Sequence, residues 1–371
     1  MNRARALLCA QNACLLVAFS LLCAGTLLFS QAAPQQAGDE WKPGTTITDL
    51  KDVVSGVNPT RIVTKRSEVN GRRIESRVTE AASINGGYAP IGETEQETIK
   101  LDANTVRVVR REYGMDSSGH RQLLRVIEEE QTKLPGGGEK VNRAISNADV
   151  NGRLQVTSRE IQQTTPTSPD TRKTETTVLS ATPNGFAPIQ KTVQVEQRRG
   201  DATEVRESSF GVDVNGRLVP FQERQFSTTT SKERRATTDR ISADYGNGMS
   251  VVEVSKGIEW KDAQGQQHSQ VQTYTPSIPG ASPDSGLYLQ REVSTVTRTQ
   301  PDGTKRTEQQ VQEAIPAAPR EGLRVQQTVT EVTRPTGAGK SESKTTTKQW
   351  DGNQGLQTVM VGDTYNATVV H

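Results

Sequence analysis

Beyond residue 23 the chain has no cysteine: Cys9, Cys14 and Cys23 all fall near the start of its 371 residues. Loss of that segment would leave a protein without disulfides, thiolate metal sites or a cysteine nucleophile. Aromatic residues are also scarce, at 4%, and there are three histidines. Net charge is nearly absent. Without Arg3 and Arg5, 45 − 2 = 43 basic side chains face 43 acidic ones. Such a balance argues against nucleic acid or an anionic membrane surface as the main partner, because either requires a net basic patch or stripe. Hydrophobic residues make up 32% of the chain, and no long apolar run follows Phe29. A thick two-layer core is therefore hard to build. Disorder is not the alternative, since Thr and Val are plentiful.

The first 32 residues have the parts of a secretory signal: Arg3 and Arg5, an apolar run from Leu15 to Phe29, and small residues at Ser30-Gln31-Ala32-Ala33. The expectation is cleavage, with no stable membrane span afterwards and a secreted, periplasmic or cell-surface location. Retention as a single anchor is the alternative. Residues 33–52 read as a loosely ordered polar leader, and 53–371 as a repeat region.

The repeat is announced by Asp149-Val150-Asn151-Gly152-Arg153-Leu154, which recurs identically as Asp213-Val214-Asn215-Gly216-Arg217-Leu218. Turn glycines continue the series at Gly56, Gly86, Gly119, Gly152, Gly185, Gly216, Gly248, Gly286, Gly322 and Gly355, spaced by 30, 33, 33, 33, 31, 32, 38, 36 and 33 residues. One supersecondary unit used many times produces such a period. A second turn signal lies midway in each period, for example Asn70-Gly71, Gly136-Gly137-Gly138, Gly200-Asp201 and Asp302-Gly303. The dozen residues between turns are rich in Thr, Val, Gln, Glu and Arg and lack helical apolar spacing, so each period reads as a β-hairpin. Asn-Gly at Asn151-Gly152 and Asn215-Gly216 points to a two-residue type I′ turn.

Apolar residues gather just after the turn glycine, as in Leu154 and Val156, Leu218 and Phe221, or Leu323 and Val325, whereas the return strands are polar. Pro90, Pro188 and Pro220 follow their glycines closely and predict bulges. The fold class is therefore all-β: an antiparallel meander of nineteen or twenty strands, first as an open, elongated, twisted sheet, then as a curled sandwich or barrel, and last as a propeller. The proline-bearing stretch 278–284 predicts a sub-domain boundary near residue 280.

Chemical motifs are few. His120, His268 and His371 occur in unrelated contexts without a metal-ligand pattern, and no cofactor or metal is expected. Thr336-Gly337-Ala338-Gly339-Lys340-Ser341 looks like the end of a phosphate loop, but Arg334 stands where its first glycine belongs. Glu128-Glu129-Glu130 offers carboxylates of the kind glycoside hydrolysis uses in pairs, with nothing to distinguish it from a solvated strand. Tyr88, Phe186 and Tyr288 sit beside turn glycines at one end of the meander and form a candidate ligand platform.

Asp213 to Leu218 resembles the Asp-x-x-Gly-Arg-Leu centre of the tyrosine-aspartate repeats of large secreted shell proteins. Val212 and Ala148 stand where that family has its tyrosine, so the likeness covers a turn alone. The composition and repeat together point to a non-catalytic envelope or secreted protein presenting a polar surface to glycan or envelope protein. Self-association through sheet edges is a further expectation. A polysaccharide hydrolase and an outer-membrane barrel are the alternatives.

Overall fold

The computed structural model describes residues 43–371 except 53–59, 83–85, 117, 277–285, 316–321, 338–339, 353–354 and 368–371. The signal segment, most of the leader, the 278–284 stretch and His371 lie outside the described residues. Twenty strands follow one another: β1 Gly44–Asp52, β2 Thr60–Val69, β3 Arg72–Ala82, β4 Tyr88–Lys100, β5 Thr105–Met115, β6 Arg121–Lys133, β7 Glu139–Ala148, β8 Leu154–Ser168, β9 Thr171–Thr182 and β10 Gly185–Arg199. The second ten are β11 Ala202–Val212, β12 Leu218–Thr230, β13 Arg234–Asp244, β14 Met249–Lys261, β15 Gln267–Pro276, β16 Leu287–Thr299, β17 Lys305–Ala314, β18 Leu323–Gly337, β19 Lys340–Asp351 and β20 Gly355–Ala367. The end of the leader is thus a strand, whose Thr45-Thr46-Ile47-Thr48 supplies the β-branched residues a ladder favours.

Each strand pairs antiparallel with the next, and the ring is completed by β1, which pairs with β2 on one side and with β20 on the other, from Thr45↔Ala367 to Asp52↔Met360. The sheet is a barrel, not the open sheet placed first on sequence grounds. Closure satisfies the backbone groups that terminal edges would otherwise leave unpaired, and so occupies the edges on which self-association was expected. β15 and β16, on either side of the expected boundary near 280, pair directly from Gln267↔Thr297 to Pro276↔Leu287.

A bulge recurs once per hairpin, near the start of every even strand from β4 onward. Register shifts leave Ile91, Leu124, Thr157, Ile189, Phe221, Val252, Gln290, Gln326 and Val359 unpaired against the preceding strand. Pro90, Pro188 and Pro220 each precede a bulged residue, as their missing amide requires. Repeated bulges add twist and bend at one level of the wall, the means by which a long meander curls. The ladder is also staggered: the line Glu97, Val109, Glu128, Ala144, Arg159 lies six residues after Ile91, four after Leu124 and two after Thr157. Two residues of stagger per hairpin is the shear that tilts strands in a closed sheet.

Cross-strand pairs point to one side of a sheet, so the register assigns every side chain to a face. Along β8, Ser158, Glu160, Gln162 and Thr164 are half-buried while Arg159, Ile161, Gln163 and Thr165 are exposed. The same alternation separates Arg224, Phe226 and Thr228 from Glu223, Gln225, Ser227 and Thr229 on β12. On these two strands the half-buried row marks the concave, lumen-facing side; the contrast is weaker elsewhere, and Val109, Val126 and Ala314 are buried on the outward face. Apolar burial is slight: Val109, Val126, Val141, Val311 and Ala314 are the buried hydrophobic residues. A wall one sheet thick has no second layer to bury more.

Candidate functional site: the charged barrel wall

Four of the turns that join odd to even strands, those at Asp116, Asp149, Asp213 and Asp244, are built on aspartate. Asp149 Oδ1 accepts from the Asn151 and Arg153 amides at 2.8 and 2.9 Å, and Asp213 Oδ1 from the Asn215 and Arg217 amides, both at 2.8 Å. Asp116 and Asp244 repeat the arrangement at the same end, and Asp262 does so at the opposite end, between β14 and β15. The type I′ expectation for Asn151-Gly152 and Asn215-Gly216 is therefore corrected. Gly152 and Gly216 have φ of 76° and 77°, but among the described residues Asn70 is the one non-glycine with positive φ, at 52°. The loops are five-residue turns, Asp-x-x-Gly-x except at Asp244-Tyr245-Gly246-Asn247-Gly248, in which a carboxylate replaces the missing strand partners. Asn70-Gly71 retains the two-residue form.

Along the lumen face, charges meet in register. Glu129, Arg143 and Glu160 stand opposite one another on β6, β7 and β8. Arg143 Nε donates to Glu129 Oε2 at 2.8 Å, and Nη1 to Glu160 Oε1 at 3.0 Å. Burial works against the charge on Arg143, but Glu160 and Glu129 outweigh it and raise the guanidinium pKa. Four strands on, Arg224 grips Asp239 with Nε at 2.9 Å and Nη2 at 2.6 Å. Glu207, across the ladder from Arg224, is pushed up by burial, with Arg224 opposing and Asp239 adding to the shift.

Glu128, Glu129 and Glu130 do not converge, because adjacent strand residues alternate faces. Glu128 and Glu130 point outward, and Glu129 joins the Arg143 row. A hollow of about 420 Å³ lies beside them, lined from both faces, by Arg107, Asn142, Arg159 and Ile161 and by Arg143 and Glu160. A hydrolase would need a deep cleft with free paired carboxylates; here each acid adjoins an arginine, as in the 3.2 Å pair of Arg107 with Glu128.

The three platform aromatics are dispersed. Tyr88, Phe186 and Tyr288 open β4, β10 and β16, so they share one rim but lie six strands apart, about 29 Å along the wall for each step. Tyr88 and Phe186 face outward beneath Arg61 and Arg159, at 4.1 and 4.4 Å from their ring centres. Tyr288, opposite Thr275, faces the lumen. His268 stacks on Trp260 at 5.1 Å, and its Nε2 lies 2.9 Å from Asp262 Oδ2, which lowers the Asp262 pKa. His120 lies 3.4 Å from Asp116. Among the described residues there is no group of three or more metal-ligating side chains. Gly337 and Lys340 close the β18–β19 hairpin, so the phosphate-loop lookalike is a strand turn; its Ala338 and Gly339 lie outside the described residues.

No family model matches the chain, and no curated protein matches it. Among solved structures, similarity is found to the FrpB iron transporter of Neisseria meningitidis (F3-3 variant; 8% identity, TM-score 0.41, 90% of this chain and 75% of that one). The siderophore receptor PirA of Pseudomonas aeruginosa matches at 9% identity and TM-score 0.43, over 88% of this chain and 81% of that one. A loop L8 deletion mutant of OmpT, an outer membrane protein of Vibrio cholerae, matches at 8% identity and TM-score 0.31, over 88% and 100%. Scores this low carry no functional assignment, which rests on the wall itself.

Proposed function

We propose that this chain is a non-catalytic cell-envelope protein whose closed, water-filled barrel offers polar surface to glycan or envelope protein. The observation that carries the reading is the wall: a ring of 20 strands with ion-paired side chains on both faces. Barrels of 16–18 strands already leave an aqueous channel, so a wider ring has a wet lumen. Cross-strand charge pairs such as Glu129–Arg143–Glu160 suit contact with water and with hydroxyl-rich or peptide ligands. The test is retention of isolated envelope polysaccharide and of envelope protein on the immobilised full chain. Binding of either, at stoichiometric amounts, is expected; no retention of both across pH and salt would overturn the reading.

Closure of the sheet favours a second reading, an outer-membrane barrel. That reading requires an apolar band about 25 Å tall facing lipid. The outward row at mid-wall instead includes Glu95, Arg111, Glu128, Arg159 and Lys191, and each outward cation at the bilayer midplane costs about 2–4 kcal/mol. Release of the folded chain from membranes by alkaline carbonate supports the envelope-surface reading. Release by detergent alone, with conductance in planar bilayers, supports the outer-membrane one.

A further inference from the structure

The two ends of the barrel differ in their exposed apolar residues. At the end where odd strands turn into even ones, Leu154, Phe186, Val212, Leu287, Trp350 and Leu356 point outward within a few residues of the turns, by their registers with Ala148, Ala181, Leu218, Pro276 and each other. Leu154 is 43% exposed, Val212 41% and Leu287 43%. The turn tips go further: Val150 and Val214 are fully exposed, at 99% and 102%, and Tyr245 is 64% exposed. Among the described residues next to the turns of the opposite end, the large exposed apolar ones are Val69 and Leu101; the remaining exposed turn residues are polar, small or proline at both ends.

We propose that the apolar rim seats the barrel on a lipid bilayer, entering one interface without crossing it. This rests on the cell-envelope reading and adds what the barrel stands on. Three observations select a bilayer as the occupant. The apolar residues form a ring at one level, so they match a plane better than a partner of limited footprint. The ring is two outward positions deep, roughly 10 Å with the turn tips, which suits the 5–10 Å burial of interfacial proteins and falls far short of a spanning band. Arginines lie over aromatic rings at the edge of the ring, Arg61 on Tyr88, Arg121 on Tyr113 at 3.5 Å and Arg159 on Phe186. An aromatic body with a cation above it is the side-chain arrangement that interfaces between headgroups and acyl chains favour. The identical hexapeptides supply Val150 and Val214, so the most regular element of the sequence also carries the most exposed apolar side chains.

The test is flotation of the full chain with phosphatidylcholine vesicles. The wild type is expected to float, and Val150→Asp/Val214→Asp/Tyr245→Asp to bind at least tenfold less. Leu101→Asp, at the other rim, should bind as the wild type does. Turn-tip side chains with no packing partners leave the fold intact, which circular dichroism verifies for each variant. With Trp41→Phe/Trp260→Phe as background, which leaves Trp350 as the one tryptophan, vesicles should shift Trp350 emission to the blue. Equal flotation of the triple variant and wild type would overturn the proposal, as would a wild type that never floats. A rim-to-rim dimer in the wild type that the triple variant abolishes would also overturn it, making a second copy the occupant. Failure in any of these ways leaves glycan or protein retention by the wall to be measured independently.

Discussion

The wall is held together differently on its two sides. From β2 to β13 the cross-strand contacts are mostly ionic: Arg66–Glu75 at 2.7 Å, Arg111–Glu95 at 3.2 Å, Arg121–Glu93 at 3.1 Å, and the Arg143 and Arg224 clusters. From β14 to β19 hydroxyl pairs are the more frequent contact on the lumen face, beside the 3.5 Å ion pair of Arg291 with Glu313, while Thr164 and Thr174 form one such hydroxyl pair on the ionic side. Ser255 meets Thr273 at 3.0 Å, Thr297 meets Thr307 at 3.2 Å, and Thr333 meets Ser343 at 2.8 Å, each between directly opposed residues. Both solutions satisfy a polar wall with little apolar burial. They differ in what happens when one partner is lost: a carboxylate left without its cation remains charged and half-buried, whereas a lone hydroxyl turns toward water.

The largest break in this comparison is Arg143→Met. Its own side chain is 24% exposed, and the partners Glu129 and Glu160 are 16% and 19% exposed, so two crowded acids lose their shared cation. Removing one member of a well-buried group costs about 3–5 kcal/mol; partial exposure reduces the expectation to about 2 kcal/mol. Hydrogen exchange of the β6–β8 amides should report it as faster opening there, with β16–β18 unchanged. Arg143→Lys should recover part of the loss.

A smaller effect of opposite sign is expected at Glu207, where burial raises the folded-state pKa above its ordinary value. A raised carboxylate pKa means that the ionised form is disfavoured by folding. The cost is absent below the unfolded-state pKa, appears as pH rises through the folded-state pKa, and is complete above it. Glu207→Gln should therefore stabilise the β11–β13 region at pH 8, by under about 1 kcal/mol. The gain should close on acidification, as read by thermal melting at a series of pH values. A gain that grew toward low pH would show that Glu207 serves the fold as a carboxylate partner of Arg224.

The hairpins could be read from the chain because glycine spacing and strand composition are local properties: β2 to β20 lie in the stretch read as the repeat, whereas β1 lies in what was read as the leader. The carboxylates of the turns were legible but passed over: Asp149 and Asp213 open both identical hexapeptides, and their side chains make Asn151 and Asn215 ordinary turn residues. Closure was not legible. Thr46 pairs with Asn366, 366 − 46 = 320 residues away, and what brings them together is the accumulated bend of one bulge per hairpin. No single residue marks such a bulge, since the bulged positions hold Ile, Leu, Thr, Phe, Val and Gln alike. The dispersal of Tyr88, Phe186 and Tyr288 follows from the same cause, because position along a meander says which rim a residue reaches and not which neighbour it meets.

The smallest effect lies on the hydroxyl side and tests whether those pairs carry stability at all. Thr297 and Thr307 are opposed, half-buried and bonded to each other through their Oγ atoms. Thr297→Val keeps the branched shape and removes one partner, so Thr307 must turn to lumen water; a cost of about 0.5–1 kcal/mol is expected. Thr297→Val/Thr307→Val removes both polar groups and restores a matched β-branched pair, so the double variant should lie within about 0.5 kcal/mol of the wild type. Chemical denaturation of the four members of the cycle gives the coupling between the two positions. A double variant as costly as the sum of the singles would mean that the hydroxyl bond itself stabilises the wall, and that the two sides of the barrel respond alike to the loss of a polar contact.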